Sequence, residues 1–192
     1  MEHKVTVIIP TYNGHSRGFL DLCLRSVESQ THENIEVIIV DDGSTDDTTA
    51  HIRSHFPQFK ILQQENGGPS AARNLATRHA SGEFVCFLDD DDEWEIEKVS
   101  KQVELLVQSP SNGFTGCGMR YIDSHSVVRG NQYPSPWGVR YPDSMLSNGF
   151  LPPSTLMFRR DLLNAIGDWN EELRKGEDLS LIHISEPTRH SS

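Results

Sequence analysis

Along the first hundred residues, short runs of β-branched and aromatic residues alternate with stretches whose apolar positions recur every three to four residues. That alternation is the signature of parallel βαβ units, because parallel strands need long crossovers that are usually helical. Residues 5–9 form the first predicted strand, stopped by Pro10, and Phe19, Leu20, Leu22, Cys23, Leu24 and Val27 follow at helical spacing. Residues 35–40 form the second strand. The turn Asp41, Asp42, Gly43, Ser44 comes next, and Ser44 or Thr45 is placed to cap a helix reaching about His55.

Ile61 and Leu62 mark a third, short strand, and Pro69 opens a helix that runs to about His79, the usual position for proline at a helix start. Residues 84–88 are apolar at every position, which predicts a strand covered on both faces. Five acids follow at 89–93, and then a helix over about 94–107 with Ile96, Val99, Val103, Leu105 and Leu106 on its apolar face. Residues 108–153 are rich in Ser, Pro, Gly and Tyr and predict short strands among loops; Leu156, Met157 and Phe158 predict a further strand, and residues 161–166 a helix ended by Gly167. The fold class is therefore α/β.

The length of 192 residues suits one domain. With 28 acidic against 17 basic residues and a formal net charge of -11, the chain lacks the electrostatic footprint of a nucleic-acid binder, and no nucleic-acid partner is expected. An anionic ligand would need local help from a cation, an arginine or a helix N-terminus. Cys23, Cys86 and Cys117 are far apart and show no CxxC spacing, so they read as reduced thiols of a cytoplasmic protein, Cys86 as a core residue. The sequence shows no signal peptide and no run approaching the roughly 20 apolar residues of a membrane span; peripheral association with the cytoplasmic membrane face stays compatible with it.

Ligands of open parallel sheets bind beyond the carboxyl ends of the strands. Three predicted strands end in candidate chemistry: Pro10, Thr11, Tyr12 and Asn13 after the first, Asp41 and Asp42 after the second, and Asp89, Asp90, Asp91 and Asp92 after the fourth. Singly these are turn residues, a helix cap and a solvated acidic loop. Together they crowd negative charge at one sheet edge, which a cation relieves. Oxygen-only ligands select Mg²⁺ or Mn²⁺, and the nine histidines show no zinc-ligand spacing near the acids. Arg73 and Lys98 are nearby candidates for direct charge contacts.

The strings VTVIIPTYNG, EVIIVDDGSTDDT, NGGPSAARNLA, FVCFLDDDDEW and GDWNEELRKGEDL occur in this order. Through Asp178 the chain resembles an inverting family 2 glycosyltransferase of the GT-A fold, a Rossmann-like, mixed and mainly parallel sheet flanked by helices. The resemblance implies that Pro10, Thr11 and Tyr12 line a nucleoside pocket, that Asp41 meets the base edge with Asp42 beside it, and that Arg73 lies near base and phosphates. Asp89, Asp90 and Asp91 match the DXD motif, which implies that Asp89 and Asp90 contact the nucleotide and that Asp91 with Asp89 holds Mn²⁺ or Mg²⁺. Glu177 and Asp178 match the ED motif, whose aspartate is the general base. Pro153, Ser154 and Thr155 match a strand entry on the acceptor side, and Trp169 stands where the family often carries an aromatic.

The activity implied is metal-assisted transfer of a hexose from a nucleotide-diphosphate sugar, a UDP-sugar above others, to a hydroxyl of a glycan, lipid-linked or other acceptor in polysaccharide synthesis. Two alternatives share the α/β pattern: a noncatalytic nucleotide-binding domain and a sugar nucleotidyltransferase. The latter would want a glycine-rich, basic phosphate loop, whereas PTYNGHSRG offers only Arg17. Residues 1–178 are expected to form the catalytic domain, incomplete at its C-terminus because family members continue past the ED motif; such a fragment would turn over poorly. Residues 179–192 are expected to be non-native, since LSLIHISEPTR resembles the translated reading of an adapter used in preparing DNA libraries.

Overall fold

The computed structural model describes residues 3–123, 127–132 and 152–172. The strands β1 (Val5–Thr11), β2 (Ile35–Asp41), β3 (Lys60–Gln63) and β4 (Phe84–Phe87) are parallel neighbours, and β8 (Leu156–Arg159) and β5 (Phe114–Gly116) extend the sheet antiparallel, in the order β3-β2-β1-β4-β8-β5. A separate hairpin pairs β6 (Met119–Ile122) with β7 (Val128–Gln132). The expected α/β, mainly parallel sheet is thus present.

Alternate strand residues feed two apolar layers, as the two-residue period of a strand requires. Val5, Val7 and Ile9 of β1 pack with Val37, Ile39, Phe84 and Cys86 against α2 (Leu20–Glu28), α3 (Thr48–His55) and α5 (Lys98–Gln108). Ile8, Ile38, Val40, Val85 and Phe87 face α4 (Pro69–His79) and α6 (Arg160–Ile166) through Ala72, Ala76, Leu163 and Ile166. Side chains such as Ile8 and Phe87 are fully buried, each contributing about 1.5–3 kcal/mol. Of the apolar residues read at helical spacing after β1, Leu22 and Phe19 are half-exposed.

Two helices start later than the sequence predicts, for one reason: polar groups near their expected starts have other partners. Ser44 accepts a bond from the Asn13 amide, and the Thr45 amide donates to Asn13 Oδ1, so neither caps α3; Asp46 Oδ1 receives the Thr48 amide instead. Likewise the Glu95 and Ile96 carbonyls accept bonds from Gln30 Nε2 and the Thr31 amide. Gln30 Oε1 then takes the Val99 amide and caps α5 from a different part of the chain. Ile96, left ahead of the helix, is exposed, and so is Leu105, which lies off the face formed by Val99, Val103 and Leu106.

Beyond the opposite, amino-terminal edge of the sheet, Glu36 gathers a polar cluster. It accepts hydrogen bonds from Thr6 Oγ1 at 2.7 Å, the Ser81 amide at 2.9 Å and Ser81 Oγ at 2.9 Å, with Lys4 Nζ at 3.4 Å. Burial alone would raise its carboxyl pKa, but the Ser81 and Thr6 hydrogen bonds and the Lys4 charge outweigh it and hold the pKa at about 2. A carboxylate depressed on folding stabilises the fold above its unfolded pKa and loses that contribution as pH falls toward the folded value. Glu36→Gln is therefore expected to cost about 1–3 kcal/mol at pH 7. Urea midpoints measured from pH 7 down to pH 3 should show the gap between the two chains narrowing below the ordinary glutamate pKa of about 4.3; a gap constant with pH would refute the assignment.

Candidate active site

Parallel register brings the strand ends together. Thr11 lies opposite Asp41 across β1 and β2, and the Leu88 amide continues the β1–β4 ladder by bonding to the Ile8 carbonyl, so Asp89 emerges beside Pro10 and Thr11. A cleft of about 380 Å³ opens there, within the range of small-ligand sites. Pro10 and Thr11 line it from β1 and Tyr12 from just past its end, Asp42 from just past β2, Pro69 and Arg73 from α4, Asp89, Asp90 and Asp91 from the loop after β4, and Arg17 from the short helix α1 (Gly14–Arg17).

The two acids at the end of β2 have different tasks. Asp41 is 2% exposed and does not reach the cleft wall; its Oδ1 accepts the Ser44 amide at 2.8 Å and its Oδ2 accepts Thr49 Oγ1. Asp42 lines the cleft and organises the loop before α4. Its Oδ1 accepts Gln64 Nε2 at 2.6 Å and the Gly67 amide at 2.9 Å, and its Oδ2 the Gly68 amide at 2.8 Å. Gly43 allows this approach: its φ is 80°, and an added Cβ would lie 2.8 Å from the Asn66 amide nitrogen.

The acidic loop turns at Asp90 and Asp91, closed by the Asp92 amide donating to the Asp89 carbonyl at 3.0 Å. Asp89 Oδ1 receives Arg73 Nη2 at 2.7 Å, and its amide donates to Ser154 Oγ at 3.1 Å. Asp90 is buried, its Oδ2 accepting Thr11 Oγ1 at 2.5 Å and an N–H of Arg17. Burial pushes the Asp90 carboxyl above its ordinary pKa and the neighbouring Asp91 adds to that, while the bonds from Thr11 and Arg17 counter them. Asp91 stands exposed at the cleft.

Arg73, which its helical position alone would allow at the surface, is 2% exposed and lies over the Trp169 ring at 4.8 Å. Trp169 is a core residue: its ring meets Phe87 edge-on at 5.2 Å, and its backbone is clasped by Asn74, whose Nδ2 donates to the Trp169 carbonyl and whose Oδ1 accepts the Trp169 amide. Lys98 does not serve the cleft. It is 8% exposed, sits over the Trp94 ring at 3.9 Å and donates to Gln102 Oε1 at 2.7 Å, and burial lowers its pKa. Ser154 and Thr155 are buried in a single 3-10 turn behind the acidic loop, with Trp94 Nε1 donating to the Ser154 carbonyl.

The structure thus brings together Pro10, Thr11, Tyr12, Asp42, Arg73, Asp89, Asp90 and Asp91 and sets Asp41 behind them. Glu177, Asp178 and residues 179–192 lie outside the described residues. Arg17 and Asn74 were not assigned from the sequence. Arg17 sits in the loop read only for its poverty in basic residues, and Asn74 is part of the same SAARN string as Arg73.

Among the described residues, no three His, Cys, Asp or Glu side chains converge into a closed metal site. Asp91 and the carboxylate oxygen of Asp89 not bonded to Arg73 still suit Mg²⁺ or Mn²⁺, because such ions commonly take one or two carboxylates and complete their shells with water and substrate phosphates. Such a cation would depend on its ligand as much as on the protein.

Over residues 6–167 the chain matches the model of glycosyl transferase family 2. It is 33% identical over 185 residues to the glycosyltransferase TuaG of Bacillus subtilis (strain 168), assigned to teichuronic acid biosynthesis, a match covering 92% of this chain and 69% of TuaG. Identity is 30% over 165 residues, 85% of this chain and 63% of the relative, with WfgD of Escherichia coli, a UDP-Glc:alpha-D-GlcNAc-diphosphoundecaprenol beta-1,3-glucosyltransferase. The crystal structure of S. aureus TarS 1-349 in complex with UDP superposes with a TM-score of 0.73 at 29% identity, covering 94% of this chain and 54% of TarS 1-349. The chain therefore spans between about half and about two thirds of the length of these proteins. With the match running from β1 through α6 and the strand ends forming one cleft, the chain belongs to glycosyl transferase family 2.

Proposed function

We propose that this chain binds a nucleotide-diphosphate sugar, a UDP-sugar above others, in the cleft at the ends of β1, β2 and β4, and serves inverting transfer of the sugar to an acceptor hydroxyl. The observation that carries the reading is the convergence of Tyr12, Asp42, Arg73, Asp89 and Asp91 on one cleft. The UDP in the TarS complex supports the choice of nucleotide, and the diphosphoundecaprenol in the name of WfgD supports a lipid-linked or glycan acceptor.

Within this reading Tyr12, 44% exposed, offers its ring to the base. Asp42 fixes the Gly67–Gly68 loop and meets the nucleoside from the cleft wall, while Asp41 acts on the base indirectly, by bracing the turn that follows it. Arg73 and Ser154 hold Asp89 in place for the ribose. Asp91 with Asp89 would hold Mg²⁺ or Mn²⁺, which when bound supplies positive charge to the leaving diphosphate. Inversion requires the acceptor hydroxyl to lose its proton on the face opposite the leaving group, and Asp178 is the proposed base, a role typically worth about 10² to 10⁴ in rate.

Because the described residues offer only part of a metal shell, cation and nucleotide should bind cooperatively. Titration calorimetry is expected to show Mn²⁺ binding weakly to the free chain and at least tenfold more tightly in saturating UDP, and Asp91→Ala should abolish that gain. An unchanged gain in the variant would remove Asp91 from the metal site. Release of nucleoside diphosphate from a panel of nucleotide sugars, with and without Mn²⁺, tests transfer itself; donor binding without any release would favour a noncatalytic domain. In a chain extended beyond Asp178 with sequence from a longer relative, Asp178→Asn should lower turnover by about 10² or more with donor KM little changed. Turnover equal to that of the unaltered extended chain would assign the base elsewhere.

A further inference from the structure

The cleft wall carries two arginines, and they are held very differently. Arg73 has a side chain only 3% exposed, bonded to Asp89 and lying over Trp169. Arg17 has a side chain 43% exposed, and Asp90 is its one hydrogen-bond partner among the described residues. An ion pair between two solvated side chains would mean little. Here the carboxylate is 7% exposed and fixed from a second side by Thr11 Oγ1, so one end of the pair is rigid.

The backbone that presents Arg17 is just as constrained. The single turn of α1 lies between two residues in the left-handed region, Asn13 at φ 51° and Gly18 at φ 80°. It is fastened to the segment between β2 and α3, and to the first residue of α3, by the Asn13 amide donating to Ser44 Oγ, the Thr45 amide to Asn13 Oδ1, the His15 amide to Thr48 Oγ1 and the Ser16 amide to Asp46 Oδ2. Gly14 lets this turn approach the acids: a Cβ there would stand 2.9 Å from Asp90 Oδ2.

Neutralising Asp90 takes one N–H of a guanidinium that has five, arranged in a planar fork suited to phosphate oxygens. The cleft also holds Asp42, Asp89 and Asp91, on a chain of net charge -11, so a diphosphate entering it meets a negative surface. Arg73 is buried against Asp89. Of the two arginines on the cleft wall, Arg17 is the one whose guanidinium stands open to an entering ligand.

We infer that Arg17 is a donor-phosphate residue, oriented by Asp90 and Thr11 so that its outward N–H groups bond the diphosphate of the nucleotide in the cleft. Asp90 then acts as a positioning residue that aims Arg17, a role different from the nucleotide contact expected of it. The inference rests on the reading of the cleft as a nucleotide-sugar site.

Binding of UDP, UMP and uridine to the 192-residue chain, in the presence of Mn²⁺, separates phosphate from nucleoside contacts. Arg17→Gln is expected to weaken UDP about tenfold, the loss of one charge-assisted bond, and to leave uridine within twofold. Arg17→Lys should fall between, since it keeps the charge without the fork. Asp90→Asn should weaken UDP less than Arg17→Gln, and the double variant should be no weaker than Arg17→Gln alone, because Asp90 acts through Arg17. UDP affinity within twofold of the unaltered chain in Arg17→Gln would overturn the inference while leaving the donor cleft standing. So would an equal loss for UDP and uridine, which marks a role in folding. Failure of the unaltered chain to bind UDP or any other nucleoside diphosphate would overturn the donor-cleft reading itself, and this inference with it.

Discussion

Carboxylates crowded at the end of a parallel sheet repel one another, and the architecture around the cleft answers that repulsion partner by partner. Asp41 is satisfied by the turn that follows it, Asp42 by the loop before α4, Asp89 by Arg73 and Asp90 by Thr11 and Arg17. All but the first tie together segments that are distant in sequence. The bonds that make the acids tolerable are therefore the bonds that shape the pocket. Asp91 is left exposed, without such a tie among the bonds described.

Much of this was readable in advance. Strands over residues 5–9, 35–40 and 84–88 declare themselves by unbroken β-branched and aromatic runs, and the structure extends the first two by only a residue or two to reach Thr11 and Asp41. A parallel sheet then predicts where their ends go, which is why Thr11, Asp42 and Asp89 could be grouped before any coordinates. The family match agrees with that grouping at the level of the fold. It does not assign the residues their tasks.

The sequence was silent where a residue's partner is far away. Nothing local distinguishes Ser44, an apparent helix cap, from the anchor of the Asn13 turn that it is, and Gln30 gives no sign that it caps a helix beginning 68 residues later. Lys98 is the sharpest instance. A lysine one turn beyond an acidic cluster suggests a surface cation, yet the tryptophan and glutamine at its own helical spacing draw it into the core. Arg17 and Arg73 show the converse, since charge count cannot tell which arginine is buried against its partner and which stands open at the cleft.

Adjacent residues of α4 face two parts of the molecule: Arg73 reaches the acidic loop, and Asn74 grips the backbone of Trp169 from both its amide and its carbonyl. Whatever chain departs from Trp169 leaves from an anchored point, fixed against the helix that also steadies the cleft. One turn of helix thus sets both the acidic loop and the point from which the later part of the chain departs, a common datum for two distant stretches of sequence.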